Sequence, residues 1–184
     1  MAKLVSKTYG DALFDLALEE NKIDELFEEV LALKQILKEN QDFTKLMNHP
    51  KVVKEEKEEV MEAVFKGRVS DEITGFLKII ISNNRFSDIF SVIDYFVARV
   101  KEYKKIGVAY ISTPLELSDK QKSDVEKRLL ETTVYEKMEM NYSIDEELIG
   151  GMVIRIGDRV VDSSIKTKLN KMAKELSKIQ LAKF

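Results

Sequence analysis

Residues 148–169, LIGGMVIRIGDRVVDSSIKTKL, constrain the fold more than any other stretch. A Gly-Gly pair, an apolar strand, a tight turn, a second short strand and a helix start follow one another without a spacer. Gly150-Gly151 supplies backbone freedom that other residues lack. Met152 to Ile156 is rich in β-branched residues and reads as a strand. Gly157-Asp158 fits a two-residue hairpin turn, with Gly where positive φ is needed. Val160-Val161 returns, and Asp162, Ser163 and Ser164 offer N-cap oxygens to the following helix. This turn pairs Arg155 with Val160 and Ile154 with Val161. Opposed residues share a face, so Ile154 and Val161 are expected to point to the core and Arg155 away from it.

Upstream the texture is different. Pro50 is the only proline before residue 107 and glycine is scarce, which favours helices joined by short connections. From Leu4 to Glu20 the apolar residues go nearly all round. Val5, Tyr9, Ala12, Leu13 and Leu16 lie on one stripe, with Phe14 and Leu18 on the other side. Such a helix is either a central core helix or one that also lines a groove for a partner. Residues 24–37 form a second helix on the stripe Ile23, Phe27, Val30 and Leu37, with Leu26 and Leu33 beside it. Residues 43–48 form a short third helix, ended by His49-Pro50 because the residue before proline is pushed out of helical φ/ψ. His49 is read as a surface loop residue. Residues 55–65 form a fourth, with Val60, Met61, Val64 and Phe65 inward and Gly67 as C-cap. Ser70-Asp71 caps a fifth, reaching Ser82, whose Ile73, Phe76, Leu77, Ile79, Ile80 and Ile81 again exceed what one core face needs. Asn83-Asn84 turns into a sixth, residues 87–104, with Ile89, Ile93, Phe96, Val97 and Val100 at helical spacing. Surplus apolar surface on the first and fifth helices marks them as interaction sites.

At Gly107 the period changes. Val108 to Ser112 reads as a strand ended by Pro114. Ser118 and Gln121 form a capping box for a helix over 119–132, with Val125 and Leu129 inward. Met138, Met140, Tyr142 and Ile144 alternate with polar residues, as a half-buried strand does. The hairpin follows, and then a last helix, 165–179, with a narrow stripe of Ile165, Leu169, Met172, Leu176 and Ile179 and six lysines between 166 and 183. The expected fold is mainly α: a six-helix bundle over 1–105, then a small α+β domain over 106–184 in the order β-α-β-β-β-α.

Chemistry is hard to place on this chain. It has no cysteine, which removes thiolate metal sites, and its one histidine, read as a loop residue, is a poor candidate for the base of a hydrolytic triad. The glycines at 150, 151 and 157 lack the spacing and the lysine of a phosphate loop. Asp145-Glu146-Glu147 has no EF-hand spacing, and Glu28-Glu29 reads as solvated surface. No catalytic, cofactor or metal residue is therefore named. The 30 basic against 33 acidic residues, net −3, argue against nucleic acid as the partner. There is no apolar run of spanning length, and MAKLVSK has neither a signal-peptide core nor the arginines of a transit peptide. A soluble interaction protein is the expectation.

Three segments together resemble the delta subunit of bacterial F-type ATP synthases, the family that includes the mitochondrial oligomycin-sensitivity-conferring protein. Tyr9-Gly10-Asp11-Ala12-Leu13-Phe14-Asp15-Leu16-Ala17 is similar to the family's Y-A-x-A-(L/F)-F-x-x-A helix, with Gly10 where alanine is usual. Asn84-Arg85-Phe86 resembles its N-(G/N)-R-(L/F) connection. The 148–169 stretch, with Arg155 in the strand and Val160-Val161-Asp162 after the turn, resembles its C-terminal signature.

The resemblance implies a non-catalytic stator subunit, one copy per complex, that joins the catalytic head to the peripheral stalk and resists rotation during proton- or sodium-driven ATP synthesis. It implies that the N-terminal bundle takes the helical N-terminus of one alpha subunit between its first and fifth helices. That groove is carried to Tyr9, Ala12, Leu13, Leu16, Ile73, Phe76, Leu77 and Ile80. It implies that 106–184 binds the b subunits, with Met152, Ile154 and the last helix as candidate contacts. It places the protein peripherally on the cytoplasmic face of the cell inner membrane, without cofactor. The competing reading is a stand-alone helical adaptor for partner helices.

Overall fold

The computed structural model describes the backbone of residues 2–181 and the side chains of residues 4–177. The chain divides into two compact units, Met1–Tyr103 and Lys104–Phe184. The first carries α1 (Ala2–Glu19), α2 (Ile23–Glu39), α3 (Gln41–Met47), α4 (Lys54–Phe65), α5 (Asp71–Ser82) and α6 (Ile89–Tyr103), with a one-turn 3-10 helix at Phe86–Asp88 before α6. The second carries β1 (Ile106–Thr113), α7 (Asp119–Thr132), β2 (Lys137–Ile144), a 3-10 turn at Glu146–Leu148, β3 (Val153–Ile156), β4 (Arg159–Asp162) and α8 (Ile165–Leu181). The protein is mainly helical, with one small sheet.

Apolar residues three and four apart explain the helices of the first unit. On α2 Leu26, Val30, Leu33 and Leu37 are buried along one stripe. They share a core with Met61 and Phe65 of α4, Ile73, Leu77 and Ile80 of α5, and Ile89, Val92, Ile93, Phe96 and Val100 of α6. Val60, expected inward, stays exposed, because Met61 and Phe65 take the α4 face that meets the core. The Phe43 ring meets those of Phe65 and Phe86 edge-on, at 5.7 and 6.1 Å between centroids. Ser70 caps α5 by accepting from the Ile73 amide, and its hydroxyl donates to Glu29 on α2 at 2.5 Å. One short side chain thus ends a loop and ties two helices.

The sheet of the second unit has strand order β2-β1-β3-β4. β1 runs parallel to β2 and antiparallel to β3, and β3 antiparallel to β4. The hairpin has the register the turn dictates, Arg155 opposite Val160 and Ile154 opposite Val161. Gly157 sits at φ +55° at the first turn position, where a type II′ turn needs it. The capping box between Ser118 and Gln121 is complete. Ala109, Ile111 and Met138 are buried beneath Leu129, Leu130 and Tyr135, with Met140, Met152, Ile154 and Ile156 at the margin.

Three expectations for this unit give way. Val161 is 63% exposed although it shares a face with Ile154, and Ile144 and Tyr142 also remain exposed on β2. The α8 stripe Ile165, Leu169, Met172 and Leu176 is exposed as well, and the side chain of Ile179 lies outside the described residues. The sequence pattern assigns each residue a face correctly, but Val161 and the α8 stripe are left uncovered, and Tyr142 meets only the edge of α7, its ring 5.6 Å from Lys122 Nζ.

Candidate partner-binding surfaces

α1 packs chiefly on α6, and α5 on α4. On α1, Leu13, Phe14 and Ala17 are buried in the core, Tyr9 and Leu16 are half-buried, and Ala12 and Leu4 are exposed. On α5, Ile73, Phe76, Leu77 and Ile80 are buried, Phe76 at 7% exposure. Five of the eight residues assigned to a groove are therefore core residues in the free chain: Leu13 and those four on α5. Ile79, outside that set, is the most exposed apolar residue on α5, at 53%. Its exposure depends on which side of α5 the other helices cover, which spacing within α5 does not encode.

Polar contacts fix both helices. Lys22, just after α1, meets Glu72 in the first turn of α5 at 2.5 Å. This bond raises the ammonium pKa above its ordinary value and lowers the carboxyl below its own. Tyr95 of α6 donates to Asp11 of α1 at 3.0 Å. Burial, followed by the Asp11 contact, pushes its phenol upward. Gly10 makes this packing possible: a Cβ there would lie 2.4 Å from Tyr95 Cδ1. The glycine therefore gives the Tyr95 ring its seat, a role that helix propensity does not reveal. Arg99 lies 5.4 Å from the centre of the Phe14 ring and bonds Glu102 at 2.9 Å.

In the second unit a geometric shortage leaves apolar surface bare. A helix about 10 Å across covers roughly two strands spaced about 4.8 Å apart, so one face of a four-stranded sheet needs two helices. α7 packs on β2. Beside its C-terminal end a cavity of about 740 Å³ opens, walled by Leu129, Val134 and Tyr135, floored by Ile154, Ile156 and Val161, and rimmed by Arg128 and Arg159. On the opposite face Arg155 stacks over Tyr110, 5.2 Å from the ring centre, its pairing partner across β1 and β3. Arg155 thus points away from the core, as the hairpin pairing predicts, and its role here is packing on an aromatic face.

No group of three or more His, Cys, Asp or Glu is placed to hold a metal ion among the described residues. No helix among them is long and apolar enough to cross a membrane. What the surface offers is exposed apolar residues on helices, the kind of surface that helix-in-groove contacts use.

Residues 5–176 match the family model described as ATP synthase delta (OSCP) subunit. The chain belongs to that family. Its ATP synthase subunit delta relative from Lachnoclostridium phytofermentans is 55% identical over 181 residues, covering 98% of this chain and 100% of the relative. The one from Enterococcus hirae is 31% identical over 174 residues, covering 95% and 96%. A chain of the Toxoplasma gondii mitochondrial ATP synthase hexamer shares the fold, with a TM-score of 0.72 at 18% identity over 93% of this chain and 96% of that one. Delta (OSCP) subunits are non-catalytic stator subunits of F-type ATP synthase. The matched span takes in all three segments that carry the resemblance in sequence, including the Gly10 variant of the first.

Proposed function

We propose that this protein is the joint of the stator. Residues 1–105, a six-helix bundle, hold the catalytic head, and residues 106–184 hold the b subunits of the peripheral stalk at the cytoplasmic face of the inner membrane. The bundle receives the N-terminal helix of one alpha subunit between α1 and α5. Tyr9, Ala12 and Leu16 form one wall, and Leu13, Ile73, Phe76, Leu77 and Ile80 back it from the core. Ile79 joins the opposite wall. The observation carrying this reading is the apolar surface left on both helices, Leu4 to Leu16 on one and Ile79 on the other, in a chain of the delta family.

The mechanism is mechanical. A joint under torque needs slow dissociation, and submicromolar to nanomolar affinity corresponds to about −8 to −12 kcal/mol. Several apolar anchors in one groove supply free energy of that order, although area by itself does not set affinity. The test is calorimetry of the full chain with a peptide from the N-terminus of the cognate alpha subunit. One-to-one binding that is lost in both Ala12→Asp and Ile79→Asp, with circular dichroism unchanged, is the expected result. No binding by the folded chain would put the stand-alone adaptor ahead.

A further inference from the structure

Lys57 is the one charged residue buried among the described residues, at 7% exposure. It precedes Met61 and Phe65 by one and two turns of α4, on the stripe that faces the core. Lysine is almost never buried unless paired. Yet the Lys57 side chain has no hydrogen bond or ion pair among the described residues. Its own helix offers no acid at the spacings that reach it, which hold Val53, Lys54, Val60 and Met61. Glu58 and Glu62 of the same helix meet Lys78 on α5 instead, at 3.7 and 3.3 Å.

A lysine stem can lie buried while its ammonium reaches outward. Here Lys57 gives onto a cavity of about 430 Å³ between the α3–α4 and α5–α6 connections. Asn48 lines it from the first connection, Asn84 and Ser87 from the second, with Met47 and Ile81 among the apolar walls. The side chains of Asn84 and Ser87 have no hydrogen-bond partner among the described residues. Asn48 gives one N–H to Thr44 O at 3.0 Å and keeps its second. No acid lines the cavity. Lys54, one turn earlier on α4, donates to Ser82 O at 2.7 Å, next to Ile81 in the lining.

One unpaired cation with three neutral donors is a donor set for an oxyanion, and it suits phosphate better than carboxylate. A planar carboxylate is best held by the guanidinium fork of arginine, whereas lysine binds phosphate as a point charge. Donors arriving from separate segments match oxygens arranged tetrahedrally. A long polyanion is disfavoured, because α4 also carries Glu55, Glu56, Glu58, Glu59 and Glu62.

We propose that Lys57, Asn48, Asn84 and Ser87 form a binding site for a phosphate group, carried by free orthophosphate or by a small phosphate ester. Bound phosphate ties the α3–α4 and α5–α6 connections to each other through α4. None of the four residues belongs to the groove between α1 and α5 or to the second unit, so the inference does not rest on the stator reading.

The test uses the full chain and its Lys57→Met and Ser87→Glu variants. Methionine keeps a flexible apolar stem and removes the charge. Ser87 is exposed, and glutamate there sets a like charge against the anion. Circular dichroism without ligand checks both folds. Orthophosphate, glycerol 3-phosphate and acetate are titrated, with amide NMR shifts as the readout. Five heavy atoms limit orthophosphate to about micromolar affinity at best, so the titration runs from about 1 µM to about 10 mM. The expected result is saturable binding of a phosphate compound, with shifts centred on residues 48–51 and 84–87. Acetate should bind at least about tenfold more weakly, and each variant should lose at least about tenfold in affinity, the worth of one hydrogen bond to a charged group. Binding of orthophosphate alone assigns the site to the free ion, and tighter binding of glycerol 3-phosphate assigns it to an ester; both support the proposal. No saturable shift with either compound, acetate binding as tight as phosphate, or unchanged binding in the folded variants would overturn it. If Lys57→Met does not fold, Ser87→Glu decides alone, and undiminished phosphate binding by that variant sinks the site.

Discussion

Replacing Gly151 by alanine tests the hairpin geometry on which the second unit depends, and Gly157→Ala is its internal control. Both glycines have left-handed backbone, φ +77° and +55°. Alanine at either site adopts a conformation that costs about 1–2 kcal/mol, less about 0.4–1 kcal/mol regained from the stiffer unfolded chain. At Gly157 that is all, because nothing lies within 4 Å of the added Cβ. At Gly151 the Cβ would stand 2.5 Å from the Ser163 carbonyl oxygen, 3.1 Å from its carbon and 3.2 Å from Ser164 Cα. Those atoms are backbone, and they hold the root of α8 through the Ser163 amide on Met152 O. Relieving such overpacking costs a further ~1–3 kcal/mol. Gly157→Ala should therefore cost about 1 kcal/mol and Gly151→Ala about 2–4 kcal/mol. The assay is urea unfolding read by hydrogen exchange in β1 and β3, so that the second unit is followed separately from the helical one. With a urea slope of about 1–2 kcal/mol/M, Gly151→Ala moves the midpoint down by at least about 1 M and Gly157→Ala by half that or less. Equal shifts for the two variants would refute the steric argument.

Other consequences can be measured in the same way. Phe96→Ala empties a fully buried site in the helical unit and should cost about 3–5 kcal/mol in urea unfolding of α1–α6, since the lost contacts leave a cavity. Phe76→Asp buries a carboxylate at a position 7% exposed, so the helical unit should unfold, whereas Ile79→Asp at 53% should leave its circular dichroism unchanged. Ile149 holds φ +66°, an outlier for a β-branched residue, and is 63% exposed. Its ψ of −41° lies outside the left-handed helical region that Asn favours, so Ile149→Gly, which has no Cβ to crowd this backbone, should raise stability by about 0.5–1 kcal/mol in the same hydrogen-exchange assay. Asp162 is held below the ordinary carboxylate range, first by the Ser164 bond and then by Thr167. Its contribution is present above the unfolded value, about 3.9, and is lost as pH falls through the lower folded value. Asp162→Asn should thus destabilise the second unit at neutral pH, and the gap to wild type should close on acidification below that range. A gap independent of pH would count against the charge of Asp162 as its source.

The sequence by itself determined whatever a few neighbouring residues can settle through their own backbone bonds. The two-residue Gly157-Asp158 turn set the pairing of Ile154 with Val161, Ser118 with Gln121 set the start of α7, and Ser70 set the start of α5. The helical stripes on α2 and α6 were likewise legible, since one face of each helix is apolar and only that face can be buried. Tertiary structure decided the rest. α1 and α5 are apolar beyond one face, so spacing could not say that Phe76 turns inward while Ile79 stays out; that depends on where the neighbouring helices lie. Gly10 stands where alanine is usual, and only the fold shows why: Tyr95, distant in sequence, occupies the place of its missing side chain. Val161 and the α8 seam have the pattern of buried residues and remain exposed. Burial belongs to the element that covers a face, and this unit supplies only one helix for four strands and none for α8.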